Sequence, residues 1–195
     1  RFSKKYNHLR SEIRNNKFGK LNRVNAIYYG GWFHNGTHIV DTLGYLLDDI
    51  IQFEKVQGRI PSSRNDDPSL ELSGHLVRRS ARVNFSAIDE NLYQLFDIDF
   101  WFDDGRLRFE NFGENLIWEK VSTNELGERV LIPDKLKLPE NGKSEMQIAY
   151  EYIGDFLEFD EDEHLMPVSL EAIEPTMQML WQAEKLYLKT FNHEI

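Results

Sequence analysis

The sequence contains no cysteine, and this absence excludes disulfide bonds and thiolate chemistry. A chain without cysteine suits the reducing cytoplasm, which is the compartment that we expect. No apolar run approaches the roughly 20 residues that a membrane-spanning helix needs, so no membrane partner is expected. The formal net charge is -10, and nucleic acid is therefore not expected as a partner, because phosphate binding requires a basic surface.

Glycine-rich nucleotide-binding motifs are also missing. The sequence has neither G-x-G-x-x-G nor G-x-x-x-x-G-K-[ST], the turns that cradle phosphates at the start of a helix. The G-x-S-x-G turn of serine hydrolases is absent as well. We therefore predict no cofactor-binding residue within this chain.

The composition is that of one folded domain. The chain has 195 residues, of which 41% are hydrophobic and 29% are charged, and this length favours a single domain over residues 1–195. The first residue is Arg1 rather than methionine, so we expect the chain to be a fragment of a longer protein.

Apolar periodicity predicts helices at both ends of the chain and strands between them. Spacings of three and four residues predict a helix within residues 1–16 that stops by Gly19, and a second helix beginning near Asn35, with Asn35 or Thr37 as its N-terminal cap. Period-two patterns predict strands over 21–29, 49–60, 75–88, 95–109 and 115–121, the fourth turning at Asp104–Gly105. Residues 124–143 read as a surface loop, and helices are predicted over 144–157 and from Pro175 onward.

This order of elements predicts the α+β class. We expect one large, mostly antiparallel, mixed β-sheet with helices on one face. The segment 95–102 is rich in aromatic residues, which suggests that a partner domain or a second subunit covers the other face of the sheet.

The residues that could carry chemistry are concentrated between Gly30 and Asp41. Two glycines precede Trp32, His34, Asn35 and His38, and His38 and Asp41 lie three residues apart on one helix surface. A histidine at a helix start beside glycines is more readily exposed to a cleft than one within a strand.

The passage YYGGWFHNGTHIVDTLGYLL resembles the segment that opens the second domain of the glucose–fructose oxidoreductase and inositol dehydrogenase family (Gfo/Idh/MocA). The family pattern has a glycine, a histidine two places later and an aspartate three places after that, and Gly36, His38 and Asp41 match it. The upstream run RFSKKYNHLRSEIRNNKFGKLNRVNA and the hairpin LFDIDFWFDDGRLRF are also similar to family segments. The likeness covers most of residues 1–122 in order.

The resemblance implies a substrate-binding domain whose sheet is like that of the C-terminal domain of glyceraldehyde-3-phosphate dehydrogenase. It implies an oxidoreductase that moves hydride between NAD or NADP and a hydroxyl or keto group of a sugar, nucleotide sugar or cyclitol. The nucleotide would be bound by an N-terminal Rossmann domain, which this chain lacks, so the chain is not expected to be active alone. The family's catalytic lysine also lies in that domain, and homo-oligomerisation through the sheet face is expected.

For the site itself, the resemblance assigns the catalytic acid/base role to His38. It places His34, Asn35, Asp41 and Trp32 in the substrate-binding group. One residue departs from the pattern, because many members have an aspartate where this chain has His34. A carboxylate there would raise the pKa of the catalytic imidazole, whereas a second imidazole disfavours double protonation.

Two other functions fit the same residues. His34 and His38 have the spacing of the zinc ligands in H-E-x-x-H, although Asn35 stands where that motif has its glutamate, so we assign no metal ligand. The chain could instead be a non-catalytic module that dimerises through its sheet.

Overall fold

The computed structural model describes residues 1–64, 66–139, 142–159 and 169–191. In chain order the elements are α1 Lys4–Arg14, β1 Leu21–Tyr29, a π-helical turn Trp32–Gly36, α2 Thr37–Leu47, β2 Ile51–Ile60, β3 Ser69–Leu76, β4 Arg82–Ile88, β5 Asp97–Phe102, β6 Gly105–Glu110, β7 Asn115–Thr123, β8 Arg129–Asp134, α3 Glu145–Phe159 and α4 Leu170–Phe191.

The strands form one eight-stranded sheet in the order β2-β3-β4-β1-β5-β6-β7-β8. Within the described residues, β1 and β4 pair in parallel, and every other neighbouring pair is antiparallel. The predicted α+β fold with a mostly antiparallel, mixed sheet is therefore confirmed.

Helices α1, α2 and α4 cover one face of the sheet. Alternate residues of β1, namely Val24, Ala26 and Tyr28, are buried on this face. Leu43 of α2 and Leu180 of α4 pack in the same core and are fully buried. Burying each such leucine contributes about 1.5–3 kcal/mol, so this two-layer contact dominates the stability of the domain.

The opposite face of the sheet, the open face, is mainly polar in the residues that the structure describes, with Trp101 as an exposed aromatic side chain. Phe100 and Phe102 of β5 are buried in the core, whereas Asp99 and Trp101 lie on the open face, where Asp99 accepts a hydrogen bond from Arg106 Nε at 2.8 Å. Core packing accounts for Phe96, Phe100 and Phe102, whereas Trp101 is 37% exposed on the open face. Coverage of this face by a partner or a second copy stays a prediction.

The segment 75–88 is two strands rather than one. β3 ends at Leu76 and β4 begins at Arg82, and the turn between them is held by the buried carboxylate of Asp49. Asp49 accepts hydrogen bonds from the backbone N–H groups of Arg78 at 2.9 Å and Arg79 at 3.1 Å. The turn was not predicted from the local sequence, because Asp49, the residue that stabilises it, lies about thirty positions earlier.

The hairpin between β5 and β6 is confirmed, but its turn lies one position earlier than predicted. Trp101 pairs with Arg106, so Asp103 and Asp104 form the turn, and neither has a positive φ. Gly105 is the first residue of β6, where a Cβ would lie 2.2 Å from the carbonyl oxygen of Glu119. A glycine is needed there for close packing rather than for the turn.

Two further boundaries differ from the predictions. Residues 129–134, predicted as loop, form the edge strand β8, where a proline is tolerated because one side of an edge strand needs no donor. Helix α4 begins at Leu170, five residues before the predicted start at Pro175, which lies inside the helix. Helix α3 covers the predicted 144–157 segment with its ends shifted by one or two residues.

The hydroxyl of Tyr28 continues the sheet hydrogen bonding where the β3–β4 ladder stops. That ladder ends at Leu72 and Phe85. Beyond it, Tyr28 donates to the carbonyl oxygen of Leu70 at 2.9 Å and accepts from the Leu70 N–H at 2.6 Å. Burial raises the pKa of Tyr28 well above its ordinary value, because the phenolate would lose its hydration.

Replacing Tyr28 with Phe should lower the free energy of unfolding by about 1–3 kcal/mol, since both backbone groups of Leu70 lose a buried partner. Because the folded pKa is raised, the contribution of Tyr28 is complete below about pH 10 and is lost as the pH rises towards the folded pKa. Urea unfolding measures the free energy of unfolding of the unsubstituted and the Tyr28→Phe proteins. The difference between these two free energies should become smaller above about pH 10. Tyr93→Phe, at a side chain that is 60% exposed, is the control and should unfold like the unsubstituted protein.

Candidate functional site

The candidate site lies at the edge of the sheet where the parallel strands end. Because β1 and β4 run in parallel, with Tyr29 paired to Ile88, the residues that follow both strands meet at this edge. The π-helical turn and the start of α2 follow β1, and Glu90 follows β4. Residues 61–64 and 66–68, between β2 and β3, lie at the same edge, since β3 is antiparallel to β4.

Two glycines turn the chain from β1 into the helical segment. Gly30 has φ +69° and Gly31 has φ +99°, conformations that other residues rarely adopt. A Cβ on Gly31 would lie 2.3 Å from Asp67 Oδ2, so this position also lacks space for a side chain. The strand β1 ends at Tyr29, as the predicted strand over 21–29 required, and the two glycines follow it.

The carboxylate of Asp67 caps the helical segment. It accepts hydrogen bonds from the backbone N–H groups of Phe33 at 2.8 Å and His34 at 2.9 Å. The predicted caps, Asn35 and Thr37, do not serve this role, because the chain first forms the π-helical turn, in which the Gly36 N–H donates to the Gly31 carbonyl at 3.1 Å. No local pattern in the sequence marks Asp67 as the cap, because it lies in a distant loop.

His34 and His38 are exposed at the site edge. His38 is the second residue of α2, and His34 lies in the π-helical turn immediately before it. Neither imidazole makes a hydrogen bond or ion pair with the residues that the structure describes. Both side chains are therefore accessible to a ligand, and His38 is not a core histidine.

Asn35 differs from the histidines because its side chain is only 9% exposed. Its Nδ2 lies 2.9 Å from the place where a Cβ on Gly30 would be, and Glu90 Oε2 lies 3.0 Å from the same place. Glu90 was not among the sequence candidates. The signal that could have found it is its position just beyond the strand that runs parallel to β1.

The side chains of Asp41 and Trp32 are both bonded to other residues of the chain. Asp41 forms an ion pair with Arg1 and accepts a hydrogen bond from Thr176 Oγ1 at 3.0 Å, so it ties α2 to the start of the chain and to α4. Trp32 is 1% exposed, packs against Phe53 and donates from Nε1 to the Leu180 carbonyl at 3.2 Å. The expectation that Trp32 contacts substrate is therefore wrong: its ring is part of the core.

No group of three His, Asp or Glu side chains within 1–64, 66–139, 142–159 and 169–191 is placed to hold a metal ion. His34 and His38 thus have no third protein ligand among these residues. This geometry gives no support to the alternative of a zinc hydrolase, which needs three protein ligands and an open position.

No protein-family model and no curated protein matches this sequence. Solved structures with similar folds include an NAD-binding oxidoreductase from Klebsiella pneumoniae, with TM-score 0.66, 10% identity and coverage of 97% of this chain and 63% of that one. An aldose–aldose oxidoreductase from Caulobacter crescentus, complexed with glycerol, has TM-score 0.66, 11% identity and coverage of 96% and 58%. The super-repressor mutant of Gal80p from Saccharomyces cerevisiae has TM-score 0.57, 16% identity and coverage of 95% and 60%.

The chain has the fold of Gfo/Idh/MocA-type oxidoreductases. The resemblance stated from the sequence is thereby confirmed at the level of fold. The chain spans only about three fifths of the length of the structures that it matches. In the part of the chain that the structure describes, no helix is long and apolar enough to cross a membrane.

Replacing Asp67 with Ala should lower the free energy of unfolding by about 0.5–2 kcal/mol, because two backbone N–H groups lose their cap. The same change should weaken the order of the π-helical turn, measured as faster amide hydrogen exchange at Phe33 and His34. Asp66→Ala is the matched control, since Asp66 is the exposed neighbour of Asp67. Equal exchange rates in the two variants would contradict a capping role for Asp67.

Proposed function

We propose that this chain is the substrate-binding domain of an NAD(P)-dependent oxidoreductase that acts on a sugar, nucleotide sugar or cyclitol. In this proposal an N-terminal Rossmann domain in the longer protein holds the nicotinamide cofactor. The single observation that carries the proposal is the exposed His38 at the start of α2, on the sheet edge of a fold shared with solved oxidoreductases.

His38 is proposed as the acid/base for the reacting hydroxyl. An imidazole titrates near neutral pH, so it can accept the hydroxyl proton as hydride leaves the carbon and return it in the reverse direction. When bound, the nicotinamide supplies the hydride acceptor or donor.

His34 and Asn35 are proposed to contact the substrate beside His38. His34 is exposed and lies about one turn before His38, so a proton can pass between the two imidazoles directly or through the substrate. Asp41 has a supporting role in this proposal, because it is already bonded to Arg1 and Thr176.

Replacing His38 with Asn in the longer protein should lower kcat/KM for its sugar substrate by roughly 10²–10⁴, the usual effect of removing a general acid/base. The measurement is the rate of change of nicotinamide absorbance. His8→Asn, at an exposed histidine of α1, is the control and should keep the full rate. A His38→Asn protein with an unchanged rate would show that another group moves the proton.

The 195-residue chain alone should bind neither NAD nor NADP at micromolar concentration, because it lacks a glycine-rich phosphate-binding turn. Isothermal titration calorimetry with each nucleotide measures this directly. Micromolar binding by the isolated chain would contradict the proposal that a separate N-terminal Rossmann domain binds the nucleotide.

Association of copies through the open face of the sheet stays part of the proposal. The charged side chains of this face are arranged in cross-strand pairs, including Arg106 with Asp99 and Arg108 Nε with Glu119 at 3.5 Å. A second copy or a partner could therefore cover the face without leaving these charges unpaired. A non-catalytic dimerising module would show such association without any nicotinamide-dependent turnover.

A further inference from the structure

The structure contains an aromatic pocket, a cavity of about 250 Å³ between the helices α1 and α2 and the ends of β5 and β6. Phe96, Phe109 and Phe112 line it on the strand side, and Thr42 and Leu46 of α2 line it on the helix side. A cavity of roughly 150 Å³ is enough to hold benzene. The aromatic pocket therefore has room for one substituted six-membered aromatic ring.

The aromatic pocket adjoins the candidate site along α2. Asp41 and Thr42, which line the pocket, follow His38 by three and four residues and therefore lie on the same side of the helix. On the strand side, the ring of Phe112 packs edge-on against Tyr29, the last residue of β1 before the glycine turn, with ring centroids 6.3 Å apart. A ligand in the pocket can thus extend along α2 towards His38.

Phe112 is presented to the pocket from a strained backbone. Its φ is +58°, in the left-handed region that bulky residues rarely adopt. The turn is fixed by the Phe112 N–H, which donates to the Phe96 carbonyl at 3.1 Å, and by the Tyr6 hydroxyl, which donates to the Gly113 carbonyl at 2.7 Å. The ring of Phe112 stacks on Phe96 but remains 49% exposed. Strained residues of this kind cluster at ligand-binding sites, and this one keeps an aromatic face available.

The polar groups of the pocket select an uncharged ligand that carries an oxygen. Arg1 and Asp41 line the pocket but form an ion pair with each other, and no other charged side chain lines it among the residues that the structure describes. The hydroxyl of Thr42 makes no hydrogen bond with any described residue, so it can donate to a ligand oxygen or accept from a ligand hydroxyl. Aromatic walls favour an aromatic occupant, because ring pairs gain energy beyond the apolar area that they bury.

We propose that the aromatic pocket binds one uncharged aromatic ring that carries a hydroxyl or ether oxygen. Thr42 is the hydrogen-bond partner of that oxygen, and the ring packs against Phe96 and Phe112. The inference goes beyond the proposed function, since binding of the ring requires neither the nicotinamide nor His38. The ring belongs either to a free phenol or to an aryl group joined to the substrate, and both present the same chemistry to the pocket.

Binding is measured on the 195-residue chain without any cofactor. The ¹⁵N-labelled chain is titrated with phenol, and the backbone amide signals of Thr42, Phe112 and Gly113 are followed. We expect these signals to shift with a dissociation constant of about 1 mM or lower, which a ligand of this size reaches when its ring is buried. No shift at these three amides up to about 10 mM phenol, tenfold above that constant, would overturn the proposal.

Two variants test the hydrogen bond and the ring contact separately. Thr42→Val nearly keeps the shape of the side chain but removes its hydroxyl, so it should weaken phenol binding roughly two- to tenfold and leave toluene binding unchanged. Phe112→Ala removes a ring contact and should weaken the binding of both ligands roughly two- to tenfold.

Tyr93→Ala is the matched control for Phe112→Ala. Tyr93 is a 60% exposed aromatic residue between β4 and β5, at the same edge of the sheet, and it does not line the pocket. Its replacement should leave the affinity for phenol and toluene unchanged. Equal phenol affinity in the unsubstituted chain, Thr42→Val and Phe112→Ala would contradict the proposal.

Two glucosides distinguish the two sources of the ring. If the substrate carries the ring, phenyl β-D-glucopyranoside should bind about tenfold more tightly than phenol and should also shift the amide signal of His38, because its sugar adds contacts along α2. If the ring is a free ligand, the phenyl glucoside should bind no more tightly than phenol. Both results support binding of the ring. Methyl β-D-glucopyranoside that shifts the pocket amides as strongly as phenol would show that the pocket does not select an aromatic ring, and would overturn the proposal.

The failure of this inference is distinguishable from the failure of the proposed function. If His38→Asn abolishes nicotinamide-dependent turnover in the longer protein and phenol causes no shift at the pocket, the aromatic-ring proposal fails and the proposed function stands. If phenol binds at the pocket but the longer protein shows no such turnover, the proposed function fails and the aromatic-ring proposal stands.

Discussion

The parallel pairing of β1 with β4 is the constraint on which the rest of the site depends. Parallel strands end at the same edge, so the glycine turn after β1 and Glu90 after β4 become neighbours although they are sixty residues apart in the chain. The same pairing requires a crossover, and α2 begins that crossover at the site edge with His38 in its first turn. An antiparallel arrangement would have placed Glu90 and His38 at opposite edges.

The fold class was predictable because its signals are local and repeated. The apolar stripe of α2 and the alternation along β1 both match the burial of those residues in the structure, as at Leu43, Leu47 and Val24. The glycine turn and the accessible His38 were predictable for the same reason. The order of elements then restricted the arrangement to a sheet with helices on one face.

What could not be predicted depends on residues that meet only in three dimensions. Asp67 caps a helical segment that lies more than thirty residues earlier, and Asp49 holds the turn between β3 and β4 from a similar distance. The family resemblance placed Trp32 in the substrate-binding group, but α4, near the other end of the chain, contacts its ring nitrogen and the side chain is buried. Glu90 was missed because nothing near it in the sequence marks a site.

The two edges of the sheet have a consequence for how copies of this chain can associate. At one edge, β8 carries Pro133, which offers no N–H, and exposed charged residues at both of its ends. At the other edge, the β2–β3 register shifts twice, between Phe53 and Lys55 and between Val56 and Gly58. Proline, charge and irregular register disfavour the addition of a further strand at these edges. Contacts between side chains on other surfaces are then the favoured route to self-association.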